Sequence, residues 1–317
     1  MPATTASAAE SPSRDSARNG ILSMLIAMAL MTVMNALAKS LAESYPLTEV
    51  TFFRNLFALV PAAAMVAAGG RQCLRTTHPL GHAWRSVIGL TSMLLLFWSY
   101  HLMPLANAVA ISYAAPLFVT ALSVPLLGER VRAHRWSAVG VGFIGVLVMV
   151  RPSGEAIDSG ALVALAAAFS YALAMIAMRQ LGRTERPVTT VFYFTLICTV
   201  LTGLTLPFAW VTPDWHGFAL MALMGLAGAG SQYFSTRAYS LAPAVVIGPF
   251  SYSGLLWATL LGWLMWGDVP TPVVLTGAGI VILSGLIVLL REARGTAPAA
   301  KSRVAVGGAN GPTATAG

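Results

Sequence analysis

Two serine–tyrosine pairs, Ser112-Tyr113 and Ser251-Tyr252, lie inside long apolar stretches and are 139 positions apart (252 minus 113). Hydroxyl and phenol groups in apolar surroundings need hydrogen-bond partners, and a tyrosine ring also offers an aromatic face. Such groups can bind a small polar ligand, so we predict that both pairs line a cavity. The alternative interpretation is ring packing, with each hydroxyl satisfied by a neighbouring helix.

A charged side chain, Arg54, falls about 10 Å into another apolar stretch that begins at Leu47, taking 1.5 Å per helical residue. A charge at the centre of a membrane helix costs about 3 kcal/mol, so such residues are candidates for function. For Arg54 we keep open a ligand contact and a structural clamp on helix-end carbonyls or on Glu49. Arg85 and Arg237 lie near the ends of apolar stretches, where a long side chain reaches water.

Neutral polar side chains inside the apolar stretches raise the same question. An unsatisfied amide or hydroxyl in hydrocarbon is costly, so each must contact another helix, water or a ligand. For every one of them, contact between helices and ligand binding are both open. We count the following as candidate cavity residues: Asn35, Ser92, Asn107, Gln232 and Tyr233.

The sequence contains no constellation that is typical of an enzyme. It has no Walker A pattern, no cluster of zinc ligands, no paired carboxylates and no nucleophile elbow. We therefore expect no enzyme activity, no metal and no cofactor. The net charge of +8 does not indicate nucleic acid, because the basic residues lie in short loops and near the C-terminus. The expected partners are a lipid bilayer and a small molecule, and the oligomeric state is open.

The composition indicates which elements must position these residues. The chain is 57% hydrophobic and only 9% charged, which is too apolar for a soluble domain. A helix that spans a bilayer needs about 20 apolar residues. We predict an all-α integral membrane protein with ten transmembrane helices, near 20–41, 47–68, 82–102, 105–127, 136–150, 160–180, 188–208, 218–239, 244–266 and 272–290.

The two halves of the chain repeat each other at the same shift of 139 positions. The segment 100–104 falls on 239–243, with Tyr, Leu and Pro in common, and Gly128-Glu129 falls on Gly267-Asp268. Loop charges are reversed between the halves, since the loop of Arg130, Arg132 and Arg135 matches a loop without bases. Basic loops stay cytoplasmic, so matched loops of opposite charge lie on opposite sides. This pattern predicts two inverted five-helix repeats, which are typical of secondary transporters.

The same charge distribution predicts the orientation and the domain boundaries. The basic loops and both termini fall on one side, so we predict cytoplasmic termini and a bacterial-type inner membrane. We assign the first repeat to 20–151 and the second to 159–291. Residues 1–19 are predicted to be a cytoplasmic tail, and residues 292–317 a disordered cytoplasmic tail.

Two prolines, Pro116 and Pro249, interrupt the fourth and ninth predicted helices. A proline removes a backbone donor and leaves a carbonyl without its helical partner. Free carbonyls are tolerated at membrane depth where they face a cavity. We therefore predict that these two residues mark gating elements.

The chain resembles the drug/metabolite transporter superfamily, in the branch with two EamA domains. The resemblance covers residues 20–291 and includes Glu49-x4-Arg54-Asn and the turn 102–106. Its most specific part is Leu127-Gly-Glu-Arg130, followed by a glycine-rich fifth helix. The second half departs from the pattern, because Leu255 stands in the place of Pro116 and Gly267-Asp268-Val replaces Gly-Glu-Arg.

This resemblance implies a central cavity lined by helices one, three, four, six, eight and nine that opens alternately to each side. Members of the superfamily move amino acids, riboflavin-like compounds, S-adenosylmethionine, sugars or metallophores derived from amino acids. We expect an exporter of amino acids or amino-acid-derived compounds, including metallophores. An importer of a vitamin or nucleoside-like compound is the alternative, and a lipid-handling or structural membrane protein is a third hypothesis.

Overall fold

The structure is a computed structural model, and it describes residues 14–128, 133–150, 158–182 and 184–295. These residues form helices joined by short loops, without a strand among them. The helices are α1 (Arg14–Ala42), α2 (Leu47–Gly69), α3 (Pro79–Leu102), α4 (Leu105–Ser112), α5 (Ala115–Leu127), α6 (Ala133–Val150), α7 (Ser159–Leu181), α8 (Pro187–Gly203), α9 (Trp215–Leu241), α10 (Ala244–Ser251), α11 (Ser253–Trp266) and α12 (Pro272–Gly295).

The prediction of a helical membrane protein is confirmed. Among the residues that the structure describes, six segments are long and apolar enough to cross a bilayer, and two further apolar helices are shorter. The count of ten spans stays a prediction. The six segments are Asp15–Ala42, Leu47–Gly69, Pro79–Leu102, Leu105–Leu127, Ser159–Leu181 and Pro187–Phe208.

The predicted fourth and ninth helices are each broken in two. The segment predicted at 105–127 is α4 and α5, and the segment predicted at 244–266 is α10 and α11. At both ends of the chain, helix extends beyond the predicted bounds: α1 begins at Arg14, inside the predicted tail 1–19, and α12 continues to Gly295. The remainder of the two predicted tails lies outside the described residues.

The helix ends follow from local sequence in both halves. Gly128 ends α5 with a φ of 66°, and its counterpart Gly267 ends α11 with a φ of 69°. Only glycine adopts this left-handed conformation without strain, so it is a common helix terminator. Asp158 and Asp214 cap α7 and α9 by accepting hydrogen bonds from backbone N–H groups.

The halves pack by interleaving. The most extensive contacts join α1 to α9, α3 to α7, α6 to α12 and α2 to α8. By the sequence match, α1 corresponds to α7 and α3 corresponds to α9. Exchanging the halves therefore turns the α1–α9 pair into the α7–α3 pair. The α6–α12 and α2–α8 pairs each consist of two corresponding helices, so the exchange leaves them unchanged.

Glycines let α6 and α12 approach backbone to backbone. A Cβ atom added at Gly277 would lie 2.6 Å from the Gly145 carbonyl oxygen and 2.5 Å from Met149 Cγ. Replacing Gly277 by Ala is therefore expected to lower the unfolding free energy by about 1–3 kcal/mol, which is typical of overpacking. Thermal unfolding in detergent would measure this.

The matched control is Gly279→Ala on the same helix, where nothing lies within 4 Å of an added Cβ. Because alanine favours helix over glycine by up to about 1 kcal/mol, this control should be neutral or stabilising. Equal midpoints for the two variants would contradict the close crossing of α6 and α12.

Candidate functional site

The two helix interruptions, between α4 and α5 and between α10 and α11, meet at Tyr113 and Tyr252. The rings of Tyr113 and Tyr252 lie 5.1 Å apart between centroids, in an edge-to-face arrangement. The Tyr113 hydroxyl donates to the backbone carbonyl of Ser251 at 3.4 Å, with the Tyr252 carbonyl at 3.5 Å. Gly254 leaves room for this hydroxyl, because a Cβ there would lie 2.8 Å from it.

The break in the first half has a local cause. α4 ends at Ser112 because Pro116, four residues later, has no N–H to donate to the Ser112 carbonyl and its ring would clash there. In the second half, the N–H of Leu255 bonds back three residues to the Tyr252 carbonyl at 3.1 Å. The Ser251 carbonyl is thereby left for the Tyr113 hydroxyl.

The predicted gating prolines lie beside the breaks rather than at them. Pro116 occupies the first turn of α5, where its missing N–H is not needed. Pro249 lies inside α10, and its carbonyl accepts from the Tyr252 N–H at 3.3 Å. Their part in gating stays a prediction.

The serines of the two pairs bond within their own helices. The Ser112 hydroxyl donates to the Val109 carbonyl at 2.7 Å, and the Ser251 hydroxyl donates to the Gly248 carbonyl at 2.6 Å. Both therefore satisfy the last turn of a broken helix, in the same way in each half. The tyrosine of each pair is left as the group that faces the other half.

Asn35 and Asn107 have an amide oxygen that is buried without a partner among the described residues. The Tyr100 hydroxyl and the Trp257 indole N–H are in the same condition. These four residues lie on α1, α4, α3 and α11, and contacts link these four helices to one another. Buried polar groups without partners concentrate at functional sites.

The other neutral candidates lie elsewhere. Ser92 joins α3 to α7, because its hydroxyl donates to the Ala167 carbonyl at 2.9 Å. Gln232 is exposed, and Tyr233 is 63% exposed with Phe234 of its own helix as its ring neighbour. The structure thus brings the two broken segments together and leaves Gln232 and Tyr233 on an open face of α9.

Arg54 contacts α1 and α9 rather than Glu49. Its Nη1 donates to Asn55 Oδ1 at 2.9 Å, its Nη2 lies 3.7 Å from Met34 Sδ, and it packs beside Gly228. Its Nε is buried without a partner among the described residues. Glu49 instead accepts from the Val211 N–H at 3.0 Å.

Arg85 is half-buried and contacts another helix, so its expected position at the water interface stays a prediction. Its guanidinium lies 3.7 Å above the ring of Phe194 on α8, and its Nε and Nη1 are buried without partners among the described residues. It interacts electrostatically with Arg54, with Cys198 and with Tyr171. Sequence position gave the depth of Arg85 along α3 but not the direction of its side chain.

A series of aromatic side chains connects Arg85 to the tyrosine contact. Tyr171 on α7 interacts electrostatically with Arg85 and with Tyr239 on α9, and Tyr239 interacts in turn with Tyr252. Tyr171 is 50% exposed and Tyr239 is 48% exposed. Half-exposed tyrosines on different helices, within electrostatic range of Arg85 and of Tyr252, are candidates for a cavity wall.

The two ends of the bundle differ in closure. We call the end where α1 begins and α9 ends the inner end, since the Ser16 hydroxyl donates to the Leu241 carbonyl there. The opposite end is the outer end. Tyr239, near the inner end, corresponds to Tyr100 near the outer end (239 minus 139), yet Tyr100 is 1% exposed.

Helix packing shows the same difference. The outer halves of the broken segments, α4 and α11, pack against each other, and most of α4 is buried. Among the described residues, no comparable contact joins the inner halves α5 and α10. The broken segments are therefore packed against each other at the outer end and not at the inner end.

An ion pair joins α1 to the loop before α12 at the outer end. Lys39 Nζ, near the end of α1, lies 2.9 Å from Asp268 Oδ2 in the loop before α12 and 4.6 Å from the ring of Trp266. Nearby, hydrogen bonds from the Gly217 N–H and the Tyr45 hydroxyl hold the pKa of Asp214 below its usual range.

At the inner end, the loop before α3 is tied to the loop before α8. The Glu185 carboxylate accepts from the Thr76 hydroxyl at 2.8 Å and from the Thr77 N–H at 3.0 Å. Burial alone would raise the pKa of Glu185, but these bonds and nearby His82 outweigh it and the pKa is lowered. An open groove of about 620 Å³ beside this tie includes Arg75 and Tyr193.

Curated relatives match most of this chain. The S-adenosylmethionine uptake transporter of Rickettsia prowazekii (strain Madrid E) is 28% identical over 86% of this chain and 93% of its own length. The pseudopaline exporter CntI of Pseudomonas aeruginosa (strain UCBPP-PA14) is 30% identical over 89% and 99%. The riboflavin transporter of Rhizobium johnstonii is 29% identical over 87% and 92%.

A crystal structure of a protein that is 21% identical superposes with a TM-score of 0.62, over 88% of this chain and 99% of that chain. At this identity the likeness is one of fold. The EamA-like transporter family matches residues 18–151 and 158–290, which together make up most of the sequence. The resemblance that the sequence motifs indicated is confirmed, and this chain belongs to the EamA-like transporter family.

Proposed function

We propose that the protein is an inner-membrane transporter that moves a small organic metabolite by alternating access. In this proposal ten spans form two inverted repeats, at 20–151 and 159–291, with both termini in the cytoplasm. The exchange of helix pairs between halves supports the inversion, as do the matching breaks at Tyr113 and Tyr252. The inner end is then the cytoplasmic end.

The observation that carries the proposal is the contact between the two breaks in a bundle with unequal ends. A substrate site of a transporter with inverted repeats lies near the midplane, where helices are interrupted. The Tyr113–Tyr252 contact lies at the two interruptions, and α4 and α11 close the space on its outer side. A bundle of this design gives access from the cytoplasm in the present state.

For substrate and direction, we propose export of an amino acid or an amino-acid-derived compound. Access from the cytoplasm is the state in which an exporter loads. The named pseudopaline exporter, 30% identical over nearly its whole length, supports this direction. Uptake is the alternative, and it is supported by the relatives named for S-adenosylmethionine uptake and riboflavin transport.

Comparing metabolites in cells and medium, with and without expression of the protein, tests this proposal. We expect one amino-acid-derived compound to rise in the medium and fall in the cells. Depletion of a compound from the medium would support uptake instead. Identical solute profiles, with the protein inserted in the membrane, would contradict transport of a soluble metabolite.

A further inference from the structure

We propose that Arg54 and Arg85 together form a binding site for an oxyanion, and that its ligand is a carboxylate of the transported compound. The proposal deepens the function proposed above and rests on it. It assigns a chemical class to the substrate. It also gives a role to Arg85, which the sequence did not indicate.

The two arginines belong to different helices and lie within electrostatic range of one another. Arg54 extends from α2 and is steadied by Asn55, and Arg85 extends from α3 and is stacked on Phe194 of α8. Both lie within electrostatic range of Cys198 on α8. Two positive charges that interact in apolar surroundings repel one another, so a compensating negative charge would stabilise the pair.

The described part of the protein does not supply that charge. Arginine keeps its proton in proteins, so neither group can escape by neutralising itself. Every carboxylate whose side chain the structure describes lies at a helix end and has another partner there. These are Asp15 with Arg18, Glu43 with Trp266, Glu49 with Val211, Asp158 with Gly160, Glu185 with Thr76 and Thr77, Asp214 with Gly217, and Asp268 with Lys39.

Both arginines also have N–H donors without a hydrogen-bond partner among the described residues. Arg54 Nε and Arg85 Nε and Nη1 are buried and make no hydrogen bond with described residues. A guanidinium that is held by stacking or by one hydrogen bond, with other N–H groups free, is suited to bidentate recognition of a carboxylate. Such a ligand would satisfy both the charge and the donors.

The position agrees with the rest of the cavity. Tyr171 and Tyr239 lead from Arg85 to the Tyr113–Tyr252 contact. A compound with its carboxylate at the arginines would place its remaining part along these rings. A lipid phosphate could present the same oxyanion chemistry, and the experiment therefore includes it as a separate arm.

The test is thermal unfolding of the purified full chain in detergent. The probes are sodium acetate, sodium phosphate and dioctanoyl phosphatidylglycerol, each compared with sodium chloride at equal ionic strength. We expect acetate to raise the unfolding midpoint of the wild type. Arg54→Gln and Arg85→Gln should each weaken the acetate response about 10- to 100-fold, because each removes a charge-assisted hydrogen bond.

The matched control is Arg237→Gln, which removes an exposed arginine from α9 and should leave the acetate response unchanged. Stability without a probe separates binding from a structural role. A structural clamp would lose stability in Arg54→Gln and Arg85→Gln, whereas removal of an uncompensated buried charge should leave the midpoint unchanged or raise it. A lower unfolding midpoint in both variants, together with no effect of acetate on the midpoint of the wild type, would overturn the proposal.

The other outcomes are also decisive. Stabilisation only by phosphatidylglycerol would replace the proposed site with a lipid site, and stabilisation only by phosphate would overturn the carboxylate assignment. This assay does not depend on flux. If the metabolite comparison finds a transported compound without an oxyanion, this inference fails and the transport function stands. If acetate binds and no solute moves, the oxyanion site stands, but the transport function and the assignment of its ligand to a transported compound fail.

Discussion

Replacing Tyr113 by alanine is expected to lower transport by about tenfold or more while the protein still folds and inserts. The ring of Tyr113 lies edge-on to Tyr252, and such a pair contributes about 0.5–1.5 kcal/mol beyond the area it buries. The substitution also removes a large side chain from the contact between the two helix interruptions. Among the described residues, this is the only ring contact that joins them. Each 1.4 kcal/mol lost in the transported state is a factor of ten.

Tyr113→Phe separates the ring from the hydroxyl. The two hydrogen bonds of Tyr113 are long, at 3.4 and 3.5 Å, so their loss should matter less than loss of the ring. We expect Tyr113→Phe to keep most of the transport activity, and Tyr252→Ala to behave like Tyr113→Ala. Flux of the compound identified by metabolite comparison is the measurement.

Tyr233→Ala is the matched control, because Tyr233 is another tyrosine of the second half that lies exposed on α9. It should transport at the wild-type rate. Normal flux in both Tyr113→Ala and Tyr252→Ala would show that the contact between the breaks is not the transport site. A deficit in Tyr233→Ala equal to theirs would point to a general loss of packing.

Breaking the ion pair at the outer end is the second change with a large expected effect. Asp268→Asn removes the charge that holds Lys39, which leaves only the contact of Lys39 with Trp266. A partly buried pair of this kind contributes on the order of 1–2 kcal/mol, so the ratio of outward-open to closed protein should rise about 5- to 30-fold. The charge swap Lys39→Asp with Asp268→Lys should restore closure.

Accessibility of a cysteine measures this opening. Asn107→Cys places a thiol near the start of α4, at the outer end, and a membrane-impermeant thiol reagent would be added outside. The native Cys198 is buried, and Cys73 would be replaced by serine. Labelling should be slow with the ion pair intact and about tenfold faster in Asp268→Asn. This factor lies within the increase of about 5- to 30-fold expected for the outward-open state.

Asp158→Asn is the control for the second change. Asp158 is a carboxylate at the same end, but it only caps α7 through the Gly160 N–H, and asparagine caps a helix as well as aspartate does. Its labelling rate should match that of the intact protein. Unchanged labelling in Asp268→Asn would mean that the ion pair does not hold the outer end closed.

The elements that the sequence predicted well are those with a strong local cause. Length and apolar composition predicted the positions of the helices, and paired glycines such as Gly128 and Gly267 marked matching helix ends. The repeat placed Tyr113 and Tyr252 at equivalent depth. The ring contact between them is seen only in the structure, because equal depth does not decide which side chains meet.

The features that could not be predicted depend on direction around a helix or on another helix. A membrane helix is apolar on all faces, so its periodicity does not reveal which side faces the cavity. The sequence therefore did not predict the exposure of Gln232 and Tyr233 on α9 or the stacking of Arg85 on Phe194. The break at Tyr252 was equally hidden, since no proline stands at Leu255 and the interruption depends on tertiary contacts of the freed carbonyl.

The ion pair of Lys39 and Asp268 has no equivalent at the inner end, because the position that matches Lys39 is Met178 (39 plus 139). When an ion pair stabilises closure of one end, an unloaded carrier is mostly in the conformation that is open at the other end. Solute on the open side then half-saturates transport at a lower concentration than solute on the closed side. In a passive carrier, maximal rate divided by half-saturation concentration must still be equal for both directions, since equal concentrations permit no net flow. If the ion pair holds the outer end closed as we predict, it would decide which compartment's concentration the carrier responds to, and the gradient or a coupled ion would decide the net flow.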